Sequence, residues 1–166
     1  VRSHALFTDW TAAPSSAFEQ CAAAGYSAAK LKIGQDPDRE ADALDRLAAI
    51  PLRWRLDANA TSATGGASVD AFPAKLDPAI RRNIEFLEDP FPYDPATWSA
   101  FTGREKIPLA IDWLLPPSPP PWPGAQILVI KPASQDAFPL ALSAADAGME
   151  IVVTHSMDHP LGQSVA

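Results

Sequence analysis

Short apolar runs alternate with amphipathic stretches along the whole chain. Runs of β type lie at 4–7 (HALF), 29–33 (AKLKI), 53–57 (RWRLD), 84–88 (IEFLE), 107–112 (IPLAID), 126–131 (QILVIK) and 150–155 (EIVVTH). Helical patterns stand between them. In DPDREADALDRLAAI (36–50), Asp36 suits an N-cap, Pro37 suits the first turn, and Ala41, Leu44, Leu47 and Ala48 share one apolar face. Ser15 or Ser16 can cap a second helix that closes at Gly25, and residues 134–147 repeat the arrangement before Gly148. A weaker helix over 68–78 is interrupted by Pro73. Strand, helix, strand at intervals of about 20–30 residues marks parallel βαβ units, so the fold class is α/β with about seven parallel strands. One connection breaks the rhythm: residues 114–125, LLPPSPPPWPGA, hold six prolines where a helix belongs. Polyproline-like chain acting as a stiff connector is expected there.

Composition narrows the setting. A chain of 166 residues fits one domain with a real core. Thirteen basic against twenty acidic residues give a net charge of −7, which invites neither nucleic acid nor an anionic membrane surface. Cys21 is the only cysteine, so no internal disulfide and no cysteine-built zinc site can form, which suits a reducing cytoplasm. No apolar run approaches the roughly 18 residues of a membrane span, and VRSHALFTDW lacks the apolar core of a signal peptide. A cytoplasmic protein is expected.

The chemistry lies at the strand ends. Asp57, Glu88 and Asp112 each close one of three consecutive β-type runs. In a parallel α/β barrel these ends form the functional rim. Three neighbouring carboxylates repel one another unless a cation sits among them, and a hard ion such as Mg²⁺ takes oxygen ligands from several elements. The competing reading is three independent acids at helix entries. In AKLKI the period of two sends Lys30 and Lys32 to one face, with Ala29, Leu31 and Ile33 on the other. Lys131, after Ile127 and Val129, is a third of the kind. Lysines turned into a barrel require anions, whereas any one alone reads more readily as a surface lysine with a buried stem.

Five segments in order, KLKIG, RLDAN, FLEDP, LAID and VIKP, resemble the enolase superfamily, and within it the o-succinylbenzoate synthases, over residues 25–162. The resemblance implies an incomplete TIM-type (β/α) barrel across 1–166, because a full barrel takes about 250 residues and complete members add an N-terminal capping domain and an eighth strand. It implies Mg²⁺, or Mn²⁺ in its place, held by Asp57, Glu88 and Asp112, with Asn59, Asp89 and Arg55 supporting the ligands. Lys32 is then the base that removes a proton beside the carboxylate of a small-molecule substrate. Lys30 lies next to it, and Lys131 stabilises the enediolate from the other side. Return of the proton to a departing hydroxyl would give o-succinylbenzoate by syn loss of water, a step of menaquinone biosynthesis. VVTHSMDHPLG (152–162) resembles the loop that takes the remote carboxylate, with Ser156 and Gly162 as candidates. Without the resemblance, His155, Asp158 and His159 suggest a second metal site, on weak grounds.

Trp113 and Leu114 depart from the acidic and hydroxyl residues usual in the family after the third ligand. An N-acylamino acid racemase, a dipeptide epimerase or a cycloisomerase shares the same lysines and metal. A barrel remnant with a binding or structural role is the non-enzymatic alternative. Homo-oligomer formation stays open.

Overall fold

Parallel sheets follow from the alternation of strand and helix, because a strand joined to the next through a helix must re-enter in the same direction. The computed structural model describes residues 4–60, 69–112 and 115–154. They contain seven strands with helices between them, an incomplete TIM-type α/β fold. Two compact units divide the chain, Val1–Pro92 and Tyr93–Ala166.

In the first unit β1 (Ala5–Phe7), β2 (Ala28–Lys32), β3 (Arg53–Asp57) and β4 (Ile84–Glu88) pair in chain order, all parallel. Helix α1 (Ser15–Ala23) seats Phe18, fully buried, against Phe7 at 4.3 Å and edge-on to Trp54 at 6.0 Å. Neither serine caps it: Pro14 holds the N-cap position, and Ser15 and Ser16 lie inside the first turn. Helix α2 (Pro37–Asp45) starts as expected, with the Asp36 carboxylate accepting from the Arg39 N–H at 3.1 Å. Its inner face is Ala41, Ala43 and Leu44, with Leu47 buried just beyond, while Ala48 is exposed because the helix ends before reaching it.

The weak helix at 68–78 is two short ones, α3 (Phe72–Lys75) and α4 (Pro78–Arg82). Pro73 sits at the start of α3, where its missing N–H costs nothing, and the break falls at Asp77, which caps α4. The register between β3 and β4 slips after Trp54, leaving Glu85 as the extra residue. Glu85 receives two hydrogen bonds from Arg55, at 2.7 and 3.4 Å.

In the second unit α5 (Pro95–Glu105) precedes β5 (Leu109–Ile111), β6 (Ile127–Ile130), α6 (Ala137–Asp146) and β7 (Glu150–Val153). The three strands are again parallel and in order. The apolar pattern predicts no helix where α5 lies, although Asp94 capping Thr97 at 2.8 Å and Pro95 in the first turn are ordinary start signals. Its buried Trp98 and Phe101 carry no simple apolar period around them. The proline-rich connector holds no helix or strand among its described residues 115–125. It is anchored by Trp122, buried, whose Nε1 donates to Ser118 O at 2.9 Å. None of the described helices is long and apolar enough to cross a membrane.

Gly124 closes the connector against α5. Its φ is +87°, and a Cβ there would lie 2.5 Å from Ser99 N and 2.6 Å from the Trp98 Cβ. Gly124→Ala therefore combines a left-handed backbone with a backbone clash, and should cost about 2–4 kcal/mol in urea unfolding. Gly103→Ala is the control, since nothing lies within 4 Å of a Cβ at that helical position.

Candidate active site

Alternation along parallel strands in register places like positions side by side. Lys32 is the register partner of Asp57, and Asp57 that of Glu88, so these three side chains share a face across β2, β3 and β4. Lys30 lies two residues before Lys32 on the same face. Asp57 and Glu88 are each only 1% exposed and Lys30 8%. The Lys30 ammonium bridges the two acids, 2.8 Å from Asp57 Oδ2 and 2.7 Å from Glu88 Oε1. Lys32 reaches the same Asp57 oxygen at 2.6 Å and donates to Asn59 Oδ1 at 3.0 Å. The Asn59 N–H in turn donates to Asp57 Oδ1 at 3.0 Å, so both oxygens of this carboxylate are held.

Burial sets the electrostatics. Alone it would lower the Lys30 pKa, but the Glu88 and Asp57 carboxylates outweigh it and hold the ammonium above its ordinary value. Burial would likewise raise Asp57, and Lys30 and Lys32 together pull it below the usual carboxylate range. The consequences for stability have opposite pH dependence. The Asp57 contribution is complete above the ordinary carboxylate range and is lost as pH falls through the depressed folded value. The Lys30 contribution is complete below the ordinary lysine value and is lost as pH rises through the raised one.

The loops after these strands are held in left-handed turns. Asn59, Ala60 and Asp89 have φ of 47°, 48° and 42°. Ala58 N–H donates to Glu88 O at 3.0 Å and Ala60 N–H to Asp89 O at 2.7 Å, continuing the pairing past the ends of β3 and β4. The strained backbone is thus fixed from both sides where the acids sit. Asp89, next to Glu88, is itself buried.

Arg55 belongs to a different cluster. It bonds Glu85, lies 3.0 Å from His4 Nδ1 and packs 5.3 Å from the Phe86 ring centre. In the second unit Lys131 donates from Nζ to the Asp112 carboxylate, and Asp112 is buried. Lys131 N–H donates to Gln135 Oε1 at 2.7 Å, which fixes the turn after β6. Ser156, Gly162, Trp113, Leu114, His155, Asp158 and His159 lie outside the described residues.

Two further residues hold the site and were missed in the sequence. Glu40, buried on α2, accepts from the N–H groups of Gly34 and Gln35 at 2.9 Å and of Asp36 at 3.3 Å, and so shapes the loop that follows Lys32. Its spacing from Asp36 is one residue longer than a capping box, which is why it reads as an ordinary helix acid. Trp10 donates from Nε1 to Lys32 O at 2.7 Å, a contact over 22 positions that no local pattern marks.

Asp57, Glu88 and Asp89 are buried carboxylates of the first unit, the oxygen ligands that a hard divalent cation prefers, and Asp112 is a buried carboxylate of the second.

No protein-family model matches the chain. An o-succinylbenzoate synthase from Bdellovibrio bacteriovorus is 34% identical over 143 residues, which is 83% of this chain and 42% of that protein. The chain thus spans less than half the length of this curated relative. Among solved structures, a mandelate racemase/muconate lactonizing protein from Herpetosiphon aurantiacus superposes with a TM-score of 0.76 at 16% identity, over 98% of this chain and 49% of the other. An N-succinyl Arg/Lys racemase from Bacillus cereus gives 0.72 at 18% identity, over 97% and 46%. A dipeptide epimerase from Methylococcus capsulatus, complexed with a Mg ion, gives 0.66 at 19% identity, over 98% and 50%. The ordered motifs, the shared fold and the synthase likeness lead to one assignment: the chain belongs to the enolase superfamily and is similar to an o-succinylbenzoate synthase.

Proposed function

We propose that the chain contributes the proton-transfer and metal-binding groups of a Mg²⁺-dependent carbon–oxygen lyase. Its substrate would be a cyclohexadiene hydroxy-carboxylate and its product o-succinylbenzoate. One observation carries the reading: Lys32 stands beside a buried pair of carboxylates, Asp57 and Glu88, that share Lys30. The 34% identity to a synthase supports the choice of reaction.

Asp57, Glu88 and, by the motif order, Asp112 would hold the ion, and Mn²⁺ would serve in its place. When bound, the ion supplies Lewis-acid stabilisation of the substrate carboxylate as negative charge develops. Lys32 takes the α-proton on its amine, with Asn59 and Asp57 fixing the direction of its Nζ. The same ammonium returns the proton to the leaving hydroxyl on the same face. One C–H and one C–O bond break, a C=C bond forms, and water departs. Lys30 keeps the two acids compatible with each other, and Lys131 supplies fixed positive charge for the anion. Such an enzyme works on a small soluble carboxylate, and a lone Cys21 with no cysteine partner suits a cytoplasmic setting. A racemase or epimerase would use Lys32 and Lys131 as two bases, so proton exchange decides between the readings.

Glu88→Gln should weaken Mg²⁺ binding at least about tenfold by calorimetry, because loss of one charge-assisted ligand costs about 1.5–3 kcal/mol. Unchanged affinity in a folded variant would place the ion elsewhere, and no Mg²⁺ binding by the wild type would favour the non-catalytic reading. Deuterium exchange at the α-carbon of a product-like ligand should vanish in Lys32→Ala and persist, slowed by about a hundredfold or more, in Lys131→Ala. Exchange in neither variant would favour the two-base racemase.

A further inference from the structure

Residues 32–36, the end of β2 and the loop after it, carry Lys32 and are held by three different elements. The peptide group between Lys32 and Ile33 is bound on both sides: its C=O accepts from Trp10 Nε1 at 2.7 Å, and its N–H donates to Asp57 O at 2.9 Å. The next three N–H groups, those of Gly34, Gln35 and Asp36, all donate to the Glu40 carboxylate. Gly34, where the two sets of bonds meet, has a φ of +97°, which glycine adopts without steric cost. Trp10 is 2% exposed and Glu40 3%, so both hold the segment from inside the protein.

A buried carboxylate is costly unless donors meet its charge, and here the three donors are backbone N–H groups of one short segment. Glu40 on α2 thus fixes the backbone just after Lys32, and Trp10, in the loop after β1, fixes the carbonyl of Lys32 itself. Neither residue is among the acids that would hold an ion. Lysine has a long flexible stem, so the place of its Nζ depends on how firmly its own backbone is held, as well as on Asp57 and Asn59 at the tip. Proton transfer is steeply sensitive to such placement. We propose that Trp10 and Glu40 are positioning residues for the Lys32 amine, which set the rate of proton transfer and leave ion binding unchanged. The kinetic half of this role rests on the proposed function, in which Lys32 is the base, whereas the order they impose on the amine does not.

Two variants remove these hydrogen bonds with little change of volume. Trp10→Phe loses the indole N–H, and Glu40→Gln has one acceptor oxygen where the carboxylate has two, so a backbone N–H is left without its acceptor. In ion-free protein with isotope-labelled lysine, the NMR order parameter of the Lys32 ammonium should fall in both variants. That of Lys30, anchored by Asp57 and Glu88, should stay as in the wild type. With saturating Mg²⁺ and phenylacetate, a small carboxylate with an activated α-proton, deuterium exchange should slow about tenfold to a hundredfold. Calorimetry should find the Mg²⁺ affinity unchanged. An undisturbed Lys32 amine in both variants overturns the proposal, and so does a loss of order shared equally by Lys30, which would mark a purely structural role. Slower exchange that follows weaker Mg²⁺ binding also overturns it. Loss of order at Lys32 alone, in a protein whose wild type binds phenylacetate but exchanges no α-proton, would support the positioning and contradict Lys32 as the base.

Discussion

Two buried carboxylates on neighbouring strands, Asp57 and Glu88, impose the main constraint on this molecule. Each would be driven to take up a proton in a water-poor interior unless a cation lay between them. Lys30 is that cation, in contact with both. Its position requires an exact register across β2, β3 and β4, since a slip of one residue would turn every one of these side chains to the opposite face. The outward faces of β2 and β3 supply the energy that holds this register. Ala29, Leu31 and Leu56, buried together with the helix residues Phe18 and Leu44, anchor the strands from outside while the charged face looks inward.

The same constraint explains why the loops are shaped as they are. Left-handed backbone at Asn59, Ala60 and Asp89 bends the chain immediately after the acids. Asn59 accepts this conformation more readily than most residues and also holds one Asp57 oxygen and the Lys32 ammonium. Glu40 and Trp10 act on the next loop in the same manner, by satisfying backbone groups near Lys32. The charged side chains are thus placed by backbone that is itself hydrogen-bonded, which limits the motion of the amine relative to the acids.

Much of this was readable in the chain. Period-two alternation separates Lys30 and Lys32 from Leu31 and Ile33, and strand-end acids stand out at Asp57, Glu88 and Asp112. What escaped depends on tertiary contacts or on signals weaker than their function. Helix α5 has a clear cap but buries Trp98 and Phe101 without a regular stripe. Pro73 looked like a helix breaker because its role at a first turn depends on where α3 begins. Arg55 reads as a neighbour of Asp57 by alternation, yet the register slip at Glu85 gives it a nearer carboxylate. No local rule pairs Trp10 with Lys32.

The central claim is that Asp57 and Glu88 form a cation-requiring pair on which both the fold and the proposed metal binding rest. Urea unfolding of Lys30→Met, with and without saturating Mg²⁺, tests it directly. Without the ion the variant should lose about 3–5 kcal/mol, the cost of leaving buried charges unpaired. Added Mg²⁺ should restore most of that loss, and should stabilise the variant more than the wild type. A loss under about 1 kcal/mol, or a larger loss that Mg²⁺ does not restore, would contradict the account.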